Sequence, residues 1–183
     1  NSFTNEEELL FGKKWLGQFE FMLEDKLVER GAKFQSSDIM LSHVASDERL
    51  VTGQNPSSTV AVASELVKTM GMTPVKHVAD IDDRTMVVIA KFLSGNKNAL
   101  DVIAKDAEHY HVALIGMYGF YYLKIAETPL EYQNSLTLML AAQEAINNPM
   151  LDMNIAKTQK KLGKIEEAKS TLNRLLVAKP DYK

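Results

Sequence analysis

The sequence predicts an α/β segment followed by an all-α, helical-repeat-like domain. Three observations carry that reading. Strand-like and helix-like patterns alternate as far as residue 71. Strand-like alternation fades after Gly71 and Pro74. From Asp82 onward the chain reads as helix, punctuated by Gly95, Pro129, Pro149, Gly163 and Pro180. The expected boundaries are a first segment at 1–71, a linker at 72–81 and a helical domain at 82–183.

In the first segment, Thr4 or Asn5 can cap a helix whose first turn carries Glu6, Glu7 and Glu8, where the helix dipole favours acids. Phe19, Leu23 and Leu27 recur every four residues and predict an amphipathic helix over 18–30, closed by Gly31. Ala32 to Phe34 reads as a short strand. "HVASDERLVTG" alternates around Ser46, Asp47 and Glu48 and predicts a hairpin. Asn55 and Pro56 then open a helix with Val60, Ala63, Val67 and Met70 on one stripe, ended by Gly71.

Helices are expected near 82–93, 97–125, 129–147, 150–162 and 165–178. The stretch "NIAKTQKKLGKIEEAKSTLNRLLVAKPDY" resembles a tetratricopeptide-type helical hairpin over 150–180. Gly163 sits at its turn, small Ala168 permits close helix approach, and Pro180 ends it. Ile165, Leu172 and Leu175 complete the expected buried face. A repeat of this kind implies an earlier copy, and 106–125 with 129–147 has suitable lengths but a poor match.

Composition narrows the function classes. The 183 residues are 45% apolar, enough for a sizeable core. The formal charge of −3, without a basic block, argues against nucleic acid as a partner. The longest apolar run, "YHVALIGMYGFYYL", is too short to span a membrane. The acidic "NSFTNEEELL" is neither a signal peptide nor a typical start of a domain. Localisation is not marked, and a cytoplasmic setting is the default. The chain has no cysteine, which excludes disulfides, cysteine zinc sites and a cysteine nucleophile of its own.

Three stretches of residues 1–71 together resemble the DJ-1/PfpI superfamily, its Hsp31-like, class I glutamine amidotransferase-like branch. They are "SFTNEEE", "FEFMLEDKLVERGAKF" and "DERLVTGQNPSSTVAVA", in the family's order and spacing. The resemblance implies the C-terminal portion of a flavodoxin-like α/β sandwich. It also implies that the cysteine elbow and most of the parallel sheet lie in a missing N-terminal half or a partner chain. It places the acid of a Cys-His-acid triad at Glu8, with Glu7 as the next choice. The competing reading makes Glu6 to Glu8 solvated first-turn acids. Gln54, Asn55 and Pro56 would sit at the active-site edge and near a homo-oligomer partner. The alternative is plain helix capping by Asn55 and Pro56.

No metal site is expected. His109 and His111 stand two apart on an expected helix and point to different faces, while His43 and His77 have no partner at ligand spacing. No Gly-rich phosphate loop and no cofactor are expected. Tyr110, Tyr118, Phe120, Tyr121 and Tyr122 read as core, with Gly116 and Gly119 allowing helix contact. The function expected through the resemblance is part of a glyoxalase-, deglycase- or hydrolase-like stress protein. The alternatives are a noncatalytic interaction module and a pseudoenzyme.

Overall fold

The computed structural model describes residues 1–15 and 17–182. It divides into two units, Asn1–Ala79 and Asp80–Lys183.

In the first unit the elements are α1 (Asn5–Phe11), a 3-10 turn (Lys13–Trp15), α2 (Leu23–Glu29), β1 (Val44–Asp47), β2 (Leu50–Gly53), a second 3-10 turn (Pro56–Ser58) and α3 (Thr59–Thr69). The hairpin pairs Val44 with Gly53 and Asp47 with Leu50. Its two-residue loop is therefore Glu48-Arg49, with Glu48 at φ 50°, where the sequence suggests a turn one to two residues earlier.

This unit corrects the expected fold class. No flavodoxin-like sandwich is present among the described residues, whose only sheet is this antiparallel pair. The expected strand at 32–34 shows the physical reason. Gly31 takes φ 87°, and the Ala32 N–H closes α2 by donating to the Leu27 carbonyl at 3.0 Å. An amide committed to a helix end cannot enter a sheet ladder. Helix α2 is also shorter than the expected 18–30, and Phe19 lies outside it.

The second unit holds α4 (Ile81–Leu93), α5 (Asp101–Lys105), a 3-10 turn (Ala107–His109), α6 (Val112–Ile125), α7 (Pro129–Ile146), α8 (Pro149–Lys161) and α9 (Ile165–Ala178). The single helix expected over 97–125 is broken at Asp106, whose backbone leaves the helical region at φ −149°, ψ 49°. Three of the helix starts are written in the sequence. Asp80 and Thr128 form reciprocal caps with Asp83 and Glu131, Asn148 caps α8, and Pro129 and Pro149 occupy first-turn positions.

Leu136, Met139, Leu151 and Ile155 form the core of this unit, with Leu123, Ile146 and Leu162 packed against them. Helices α6 and α7 approach closely at two glycines. A Cβ on Gly119 would lie 2.9 Å from Leu138 Cβ and from the Met139 nitrogen, and Ser135 Oγ donates to the Gly119 carbonyl at 2.7 Å. The turn at 162–164 returns α9 onto α8. The buried face of α9 is Ala168, Thr171 and Leu175. Ile165 is exposed, and Thr171 takes a place on the buried side because its hydroxyl donates to Gln159 Oε1 at 2.9 Å. Among the described residues no helix is long and apolar enough to cross a membrane.

Candidate functional site

The three consecutive acids of α1 do different work. Successive helical residues are about 100° apart, so Glu7 turns inward while Glu8 is half-buried. Glu7 is only 1% exposed. Its Oε1 accepts from the Met40 N–H at 2.7 Å, Asn55 Nδ2 at 2.8 Å and Gln54 Nε2 at 3.2 Å. Its Oε2 accepts from the Thr4 N–H at 3.1 Å, while Thr4 Oγ1 accepts from the Glu7 N–H at 3.2 Å. Four donors compensate a buried carboxylate that would otherwise be very costly. Met40 sits at φ 63°, and its amide is aimed at Glu7 from that left-handed geometry.

Glu8 serves α2. Its Oε2 accepts the Leu23 N–H at 2.8 Å, the first amide of a helix whose N-cap residue, Met22, has no capping side chain. In return Glu24 Oε2 accepts the Asn5 N–H, the first amide of α1, at 2.7 Å. Each helix therefore caps the other with a carboxylate at its positive end. The second oxygen of Glu8 has no partner among the described residues.

Gln54 and Asn55 do more than cap. Gln54 is buried, bridges to Glu7, and exchanges two hydrogen bonds with the backbone of Ser37 at 2.9 and 3.3 Å. Asn55 caps the turn by accepting the Ser57 N–H at 3.0 Å, and its amide reaches both Glu7 and the Leu41 carbonyl at 2.8 Å. Pro56 opens the 3-10 turn. The structure thus joins the two stretches "SFTNEEE" and "GQNP" through Glu7. An open cleft of about 490 Å³ is lined by Ser2, Phe3, Thr52, Gln54, Asn55 and Pro56 among others. His43 immediately precedes β1, with Nδ1 3.2 Å from Ser37 Oγ and a buried Nε2 that has no partner among the described residues.

Sequence reasoning named Glu7 only as the next choice for a triad acid and did not read its buried hydrogen-bonding role. The signal was available: Thr4-x-x-Glu7 is the reciprocal-cap pattern, which selects the third residue after the threonine and not the fourth.

In the second unit, His109 and His111 have separate partners. His109 Nδ1 lies 2.5 Å from Asp106 Oδ1, and His111 Nδ1 lies 2.7 Å from Asp82 Oδ1. Asp106, Glu108 and His109 bring three ligand atoms within 4.8 Å of one another, but all three are exposed, and exposed acidic groups commonly cluster in this way without a metal. A groove of about 320 Å³ opens between α6 and the α7–α8 junction. Tyr118 and Tyr122 are buried and stacked at 6.1 Å, whereas Phe120 lines the groove.

No protein family, no curated protein and no solved structure matches this chain.

Proposed function

We propose that residues 1–79 present the orienting acid of a cysteine–histidine centre of the DJ-1/PfpI kind, and that Glu8 is that acid. One observation carries the reading: Glu8 is fixed at the α2 N-terminus by one oxygen and keeps the other without a partner among the described residues. A carboxylate held in that way can accept the Nδ1–H of an imidazole. The ring's Nε2 is then left to take a thiol proton. Glu7 is already saturated by four donors and acts as a clamp. The chain has no cysteine, so the nucleophile comes from a different stretch of polypeptide, in the same protein or a partner. Leu9, Phe11, Trp15, Phe19 and Phe21 are large, apolar and exposed, which supports a covering partner on this unit. The chemistry of such a centre is glyoxalase-, deglycase- or hydrolase-like.

The test is methylglyoxal turnover by the natively produced protein that carries this chain, with and without iodoacetamide, as wild type and as Glu8→Gln. The expected result is thiol-dependent turnover that falls about 10²-fold in Glu8→Gln, within the range of general-base contributions. Equal rates would remove Glu8 from the centre. Absence of thiol-dependent turnover would favour the second reading, a noncatalytic interaction module, which the same exposed apolar side chains support.

A further inference from the structure

We infer that the groove between α6 and the α7–α8 junction binds a small, neutral, apolar molecule that carries a hydroxyl group. Its volume, about 320 Å³, falls in the range of small-molecule sites, roughly 300–1,000 Å³. Met117, Phe120, Met150 and Leu151 supply apolar walls. Met117 and Met150 are 42% and 56% exposed, and their flexible thioethers can close on guests of different shape. Among the described residues no Lys, Arg, Asp or Glu lines the groove, which favours a guest without net charge.

Two polar side chains remain. His111 Nδ1 is 2.7 Å from Asp82 Oδ1. A carboxylate can only accept, so Nδ1 carries the proton of this hydrogen bond, and in that tautomer Nε2 is the acceptor. Asn148 uses its Oδ1 to accept the Met150 N–H at 2.9 Å, which leaves its NH₂ as a donor. The groove therefore presents one acceptor and one donor on apolar walls. A hydroxyl, which donates and accepts, answers both, and the Phe120 ring favours a phenol over an aliphatic alcohol.

The experiment titrates the full chain with 4-propylphenol and with propylbenzene, by calorimetry and by the methyl resonances of ¹³C-labelled methionine. The expected result is saturable 4-propylphenol binding that moves the Met117 and Met150 methyls, at least about tenfold tighter than propylbenzene. His111→Leu should erase that preference, and Met117→Trp should block both ligands while the helical circular dichroism is retained. The wild-type comparison needs no variant, so a misfolded substitution cannot shelter the inference. Equal affinity for the two ligands, or no saturable binding of 4-propylphenol, would overturn it. So would methyl shifts that depend on protein concentration alone, which would assign the groove to a second copy of the chain.

Discussion

Glu7 and Glu8 are adjacent in sequence and opposite in consequence. Glu7→Gln replaces an acceptor oxygen by an NH₂ facing buried donors, and should destabilise the chain by roughly 1–3 kcal/mol. Glu8→Gln keeps one acceptor for the Leu23 N–H and should cost less than about 1 kcal/mol. Urea melts of both variants check the order, and a Glu8→Gln loss equal to that of Glu7→Gln would refute it. The α6–α7 glycines allow a second comparison at this scale. A methyl on Gly119 meets three fixed atoms, the Leu138 Cβ, the Met139 nitrogen and the Ser135 carbonyl oxygen at 2.9 to 3.0 Å, whereas one on Gly116 meets the end of the Ile146 side chain, which can turn away, and a single fixed atom, the Ala142 Cβ at 2.8 Å. Gly119→Ala should therefore lose more stability than Gly116→Ala, with overpacking of about 1–3 kcal/mol partly offset by a helix-propensity gain of up to about 1 kcal/mol. The glycines' role was legible in their spacing. The burial of Glu7 was not read, because Thr4 and Asn5 were both left open as the cap and the Thr4-x-x-Glu7 pattern was not used to choose between them.

At the scale of elements, helix starts were the most legible feature, because Asp80, Thr128-Pro129 and Asn148-Pro149 carry their own capping chemistry. Starts set from elsewhere were not. Helix α2 begins where Glu8, fifteen residues earlier, accepts its first amide, and no local pattern announces that. The break at Asp106 was missed because helix periodicity continues on both sides of it. The N-terminus of α7 gives a pH prediction. The Thr128 and then the Glu127 backbone N–H groups hold the Glu131 carboxyl below its ordinary value of 4.5. A lowered folded pKa contributes stability that is full above that ordinary value and is lost as pH falls through the folded one. Carboxyl-resolved NMR should find Glu131 titrating below 4.5, with the first turn of α7 fraying in step. Glu131→Gln should abolish that fraying step. On α9, Ala168 is 6% exposed against α8, so Ala168→Leu should cost roughly 1–3 kcal/mol by overpacking. An unchanged melting temperature would place that position outside the contact.

At the scale of the molecule, the two units bury different things. In Asp80–Lys183, leucine, isoleucine, methionine and aromatic side chains fill the interior. Among the described residues of Asn1–Ala79 the buried large apolar residues are Ile39 and Leu41, beside the polar Thr4, Glu7, Gln54 and Ser58. Helix α3 has no buried residue, and Leu66 and Met70 are exposed. The amphipathic stripe read at Val60, Ala63, Val67 and Met70 was legible as a pattern, but what it packs on was not, because a stripe does not name its partner. A polar hub under apolar faces is the reverse of a self-sufficient core. The proposed cysteine–histidine centre requires that these faces be covered by a cysteine-bearing polypeptide. Hydrogen–deuterium exchange tests it most directly, comparing the isolated 183-residue chain with the natively produced protein that carries it. Such a cover should slow exchange in the native protein across α1, α2 and α3, with α7 to α9 unchanged. Equal exchange across α1 to α3 in the two samples would contradict it.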